Sequence, residues 1–183
     1  MTPRGIAYVL ALAGSALFGT ALVASRSEAA VVIDITQSGS DVVTTGSGNL
    51  DINGLTFVST SFTSGAMIPA QAVIVVGPAG VATNLDLYSA ISGPSSFGSG
   101  AFTEAASSGS RDIFGISIGR LVVPANYVSG TSLSGTDTYT NTTISSLGLT
   151  PGTYVYTWGT VALACGRCLL PWRKGNDAGA GLL

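Results

Sequence analysis

The stretch Asn49–Ser61, NLDINGLTFVSTS, reads as two extended runs about a turn. Asn49–Ile52 and Leu55–Ser61 are rich in Leu, Ile, Val, Thr and Phe, types that suit a pleated, half-buried surface. Between them Asn53-Gly54 tolerates the positive φ that a two-residue hairpin turn demands. Working outward in both directions, the same pattern recurs. Further strands are expected at Val31–Thr36, Asp41–Thr45, Ala72–Val76, Leu85–Tyr88, Ile113–Ile118, Leu121–Val123, Thr136–Thr143 and Thr153–Trp158. Gly46-Ser47-Gly48, Gly77-Pro78, Ser92-Gly93-Pro94 and Pro151-Gly152 read as turns, the last as type II. Helical periodicity amounts to no more than a turn near Ala101–Ala106. The expected fold is all-β, an antiparallel, jelly-roll-like β-sandwich, because two sheets can bury alternating faces against each other across short polar connections. Ser95–Ser110, dense in Gly and Ser, is expected to be its mobile, function-bearing loop.

Upstream of this body the chain changes character. Arg4 and the amino terminus give a short positive region, and Gly5–Ala24 carries no charge. Ser27-Glu28-Ala29 then places small side chains where a signal peptidase needs them, so cleavage is expected after Ala29, with Ala30 the second choice. Retention of the apolar run as a membrane anchor is the alternative, since about 20 apolar residues can span a bilayer. Three segments result: a signal-peptide helix over 1–29, a β-sandwich domain over 30–160 and an atypical tail over 161–183, expected to be poorly ordered.

The exported part keeps five basic residues against eight acidic ones, a net charge of −3. Only Arg111 and Arg120 are basic between Ala30 and Thr160, which argues against a nucleic-acid partner, because phosphate binding needs clustered Lys and Arg. Surface polarity comes instead from Ser, Thr, Gly and Asn, as suits the outside of a cell or a polysaccharide matrix. With no His in the chain, Ser-His-Asp and Cys-His nucleophile systems are excluded. Asp34, Asp41, Asp51, Asp86, Glu104, Asp112 and Asp137 are scattered. A glycosidase would need two of them facing across a cleft, whereas Asp beside Gly, Ser and Asn more often forms turns. No dense acidic run marks a Ca²⁺ loop, so no catalytic, metal or cofactor site is expected. Asn141-Thr142-Thr143 matches a glycosylation sequon but reads better as Thr-rich strand surface. Cys165-Gly166-Arg167-Cys168 lacks the further Cys or His that zinc would need and the helix of a redox motif. A small Cys165–Cys168 disulfide loop, or an incidental pair, is the expectation.

Among the aromatics Tyr88, Phe97, Phe102, Tyr127, Tyr139, Tyr154, Tyr156 and Trp158 are candidates for stacking on sugar rings. Tyr154, Tyr156 and Trp158 recur with period two and so share one strand face, which reads first as a core stripe and second as a binding platform.

The blocks VVTTGSGNLDINGLTF, IVVGPAG, DLYSAISGPSSFGSG and LVVPANYVSGTSLSGTDTYTNTTISSLGLTPGTYVYTWG resemble PEP-CTERM exported proteins of Gram-negative bacteria, from about Val31 to Thr160. That resemblance implies an exported, β-rich body and a C-terminal tag of Pro-Glu-Pro, apolar helix and basic cluster, read by an exosortase in exopolysaccharide-producing cells. The tag is missing here: the only Glu residues are Glu28 and Glu104, and from about Val161 both Cys, Trp172 and a basic cluster crowd together. A shifted reading frame is one account of this; a genuine tail closed by a Cys165–Cys168 disulfide loop is the other. Codons available to Ala178-Gly179-Ala180-Gly181, read one nucleotide later, give Pro-Glu-Pro, and those of Cys165–Cys168 give Ala-Ala-Asp-Ala. The expected function is that of an exported, non-catalytic surface or extracellular-matrix protein, located in the periplasm, at the cell surface or outside the cell. Its expected partners are exopolysaccharide or cell-envelope components, with signal peptidase during export and exosortase only where an intact tag exists. A carbohydrate-binding β-sandwich module is the alternative.

Overall fold

The computed structural model describes residues 29–101, 104–158 and 164–169. The segment 1–28, Phe102 and the rest of the expected tail lie outside the described residues. Runs of β-branched and aromatic residues become the strands β1 (Ala29–Ser38), β2 (Asp41–Asn49), β3 (Thr56–Thr63), β4 (Ala66–Ile68), β5 (Val73–Val76), β6 (Thr83–Ser89) and β7 (Ile91–Ser92). They continue as β8 (Glu104–Ala105), β9 (Ser108–Arg111), β10 (Phe114–Ser117), β11 (Arg120–Pro124), β12 (Ser132–Tyr139), β13 (Thr153–Trp158) and β14 (Ala164–Leu169). Among the described residues these form two seven-stranded sheets, ordered β7-β13-β14-β1-β2-β12-β9 (sheet A) and β3-β6-β11-β10-β5-β4-β8 (sheet B). Neighbours run antiparallel except β1 and β14, which are parallel. The described residues are all-β apart from a single 3-10 turn at Pro69–Gln71, as the residue pattern predicts.

Period-two alternation decides which side chains meet between the sheets. From sheet A come Val31, Ile33 and Ile35 of β1, Val42 of β2, Leu133 and Tyr139 of β12, and Tyr156 and Trp158 of β13. From sheet B come Met67, Ile74, Val76, Phe114, Ile116, Leu121 and Val123. The whole of β5 is buried, and its alternate residues Val73 and Val75 join Leu85, Ile113 and Val122 in a smaller cluster on the other face of sheet B.

Several local expectations are corrected. Gly46-Ser47-Gly48 is not a turn but the middle of β2, paired with β1 and β12. Gly46 is there for close packing: a Cβ on it would stand 2.6 Å from Cζ of Phe114 in the opposite sheet. Asn49–Ile52 forms no separate strand, and Asn53-Gly54 closes no hairpin. The Leu55 N–H donates to the Ile52 carbonyl at 3.1 Å and only Gly54 has positive φ (85°), the pattern of a type II turn, which carries the chain from sheet A to sheet B. Pro151-Gly152 is a bend in which Gly152 lacks the positive φ of type II. Ser95–Ser110 is tied down where it is described. Phe97 is fully buried, the N–H groups of Phe97, Ser99, Ala106 and Ser107 donate to Pro69, Gly148, Gly65 and Thr138, and β8 stands where a helical turn was expected. One large apolar ring and a row of backbone hydrogen bonds outweigh the chain entropy of the small residues around them.

Candidate functional site

Among the described residues sheet B ends at β3, TFVSTSFT, which pairs on one side only, with β6. Phe57 and Phe62 are five positions apart, and in a regular strand an odd separation puts side chains on opposite faces. Here the register slips between Phe57 and Ser59, leaving Val58 as a bulge. Before it Phe57 faces Tyr88, and beyond it Thr60 faces Asp86 and Phe62 faces Asn84. Residues directly opposite share a face, so the bulge brings Phe57, Thr60 and Phe62 onto one side, the two rings about 13 Å apart along four ladder steps. Both rings are open to solvent, Phe57 at 53% and Phe62 at 71% exposure. The Phe57 ring meets that of Tyr88 edge-on at 5.8 Å. Between the rings the floor is polar and fixed: Asp86 accepts the Thr60 hydroxyl at 2.9 Å and the Asn126 N–H at 2.8 Å. No charged residue occurs from Ile52 to Leu85, so this edge has neither the charge nor the proline that usually guard a free strand.

The aromatic stripe singled out in the sequence faces the core instead. Tyr156 is 1% and Trp158 5% exposed. Tyr156 donates to the Pro94 carbonyl, Trp158 Nε1–H to the Asp51 carbonyl at 2.7 Å and Tyr154 to the Thr150 carbonyl at 2.8 Å. Phe97 packs edge-on against the rings of Tyr154 and Tyr156. Stacking a sugar needs an open ring face, which these rings do not offer. Tyr127 and Tyr139 are buried as well, and burial raises the pKa of both hydroxyls.

Five of the acids serve the fold. Asp41 accepts from the Asn141 N–H, and Asp112 from the Ser134 N–H. Asp51 accepts from the Asn53 N–H and the Ser129 hydroxyl, bonds that hold its carboxyl below the ordinary range. Asp137 is no turn former: it lies inside β12 facing the core, 1% exposed, and burial pushes its carboxyl up to about 7. Among the described residues no three of His, Cys, Asp and Glu gather as a metal site.

Of the remaining predicted positions, Ala29 and Ala30 open β1, so cleavage there would leave that strand almost whole. Cys165 and Cys168 stand three positions apart on β14, in register with Thr157 and Tyr154 of β13. A strand separates such positions by about 10 Å, whereas a disulfide needs Cα atoms within about 7 Å. A Cys165–Cys168 bridge and this strand therefore exclude each other.

Phe57 and Phe62 were absent from the sequence-derived candidates. The signal available in the sequence is a charge-free run carrying two Phe; the bulge that aligns them leaves no mark in composition. The geometry defines a class, an all-β two-sheet protein with an open aromatic edge and five aspartates engaged in hydrogen bonds. No family model, curated protein or solved structure matches the chain.

Proposed function

We propose that the chain is an exported, non-catalytic protein of the cell surface or extracellular matrix that associates with exopolysaccharide. The observation that carries this reading is the employment of its acids: Asp41, Asp51, Asp86, Asp112 and Asp137 each accept a backbone N–H that fixes a loop or a seam. A glycosidase would keep two such groups free across a cleft. The hydroxyl-rich surface, the expected signal segment and the resemblance to PEP-CTERM proteins agree with it. Fractionating the producing cells and recovering the protein with native exopolysaccharide tests this; recovery only in the cytosol, or no retention on the polymer, would overturn it.

A carbohydrate-binding module is the second reading, favoured by Phe57 and Phe62 rather than by the buried stripe. Two open rings on one face with a hydrogen-bonded Thr60–Asp86 floor between them suit the alternating apolar faces and hydroxyls of a glycan. Affinity electrophoresis through gels containing that polymer should show retardation that Phe57→Ala and Phe62→Ala together abolish.

A further inference from the structure

Two buried polar atoms among the described residues have no hydrogen-bond partner, Oγ1 of Thr44 and Oδ2 of Asp137. They belong to residues directly opposite each other on β2 and β12, both 1% exposed. Opposite residues share a face with Cβ atoms about 5 Å apart, so the two orphans are neighbours in the space between the sheets. Glycines close the seam around them. Gly109 is the partner of Asp137 on β9, and a Cβ there would collide with Oδ1. From sheet B, a Cβ on Gly65 would stand 2.7 Å from both carboxyl oxygens, and the Gly77 N–H donates to Oδ1 at 3.1 Å. Backbone thus wraps the carboxyl on three sides, and a single N–H is what the opposite sheet offers it.

A buried carboxylate is retained when a cation or several donors compensate for lost hydration. None does so here. On β12 the facing titratable group is Tyr139, itself buried; on β2 Asp41 lies at the far end, held by Asn141. On β9 Arg111 is solvent-exposed, Asp112 beyond it accepts from Ser134, and on β8 Glu104 is exposed. β4 and β5 carry no ionisable residue.

We propose that Asp137 is carried in the core as the neutral acid and forms, with Thr44, a proton-operated clasp between the sheets. A proton on Oδ2 makes that atom a donor to Thr44 Oγ1, directly or through one bridging water, and both orphans are satisfied in one step. Loss of the proton leaves a buried negative charge answered by a single N–H and loosens the seam where β2, β9 and β12 meet the β3–β4 and β5–β6 connections.

The test is a carbon-detected NMR titration of the Asp137 carboxyl in the wild-type chain, with Thr44→Val and Asp137→Asn beside it. Asp137 should titrate near neutral pH, and Thr44→Val should move its midpoint downward by removing the acceptor that only the protonated acid uses. Amide exchange at Gly77 and Thr138 should accelerate at least tenfold between pH 6 and 9 in the wild type and stay level in Asp137→Asn after correction for intrinsic exchange. Titration in the ordinary carboxylate range, or equal exchange profiles in wild type and Asp137→Asn, would overturn the proposal. The wild-type titration reads out even where a variant fails to fold.

Discussion

Gly46→Ala asks whether glycine in the middle of β2 is a packing device. The added Cβ would lie 2.6 and 2.7 Å from Cζ and Cε2 of Phe114, against an ordinary carbon contact of about 3.5–4.0 Å. The ring has little room to retreat: it is fully buried, and Gly135, the partner of Gly46 on β12, packs closely beside it. Overpacking of this kind costs about 1–3 kcal/mol, while replacing Gly by Ala within a strand returns roughly 0.5–1 kcal/mol of backbone entropy. The net expectation is a loss of about 1–2 kcal/mol, a fall in Tm of about 5 °C for a domain of this size. Phe114→Leu shortens the group in the way, so the double variant should be more stable than the sum of the single costs by at least about 1 kcal/mol. Urea unfolding of the four proteins in one buffer provides the cycle. Gly46→Ala as stable as wild type, or strictly additive costs, would refute the close-packing account and restore a flexible role for Gly46-Ser47-Gly48.

Other expectations follow from the same contacts. Because the Asp137 carboxyl rises from 3.8 to about 7 in the fold, the folded state holds this proton where the unfolded state has lost it. Its contribution is therefore greatest below pH 3.8, declines as pH climbs to about 7 and is level above. A shift of about 3 units at 1.36 kcal/mol each sets a ceiling of about 4 kcal/mol, and Asp137→Asn should flatten this slope in urea titrations at successive pH values. Trp158→Phe removes the donor to the Asp51 carbonyl and should cost about 1–3 kcal/mol, read by the same unfolding. Since β14 and a Cys165–Cys168 bridge exclude each other, oxidation that closes the bridge should lower Tm and Cys168→Ser should abolish the redox dependence, measured by thermal melts with and without reductant.

Much of the architecture was legible because β-branched residues at period two leave few alternatives. β12 shows it: Leu133, Gly135, Asp137 and Tyr139 face inward in strict alternation. What misled was composition without context. Gly-Ser-Gly serves equally in a turn and in a strand pressed against Phe114, and the distinction lies in a ring contributed by residues far along the chain. Asp137 looked like a turn former because its neighbours are Gly and Thr, yet its surroundings are set by Gly65, Gly77 and Gly109 from other strands. The aromatic stripe of β13 had the right periodicity for its core role, whereas the open pair Phe57 and Phe62 had the wrong one. A one-residue bulge at Val58 reverses parity, and such a slip depends on pairing with β6 rather than on β3 itself.

The most direct test of the proposed function is retention on the native polymer. In affinity electrophoresis through gels containing the producing organism's exopolysaccharide, the account predicts that the intact chain is retarded in proportion to polymer concentration without shortening the polymer. Mobility unchanged by the polymer, or a fall in polymer length on incubation with the protein, would contradict it.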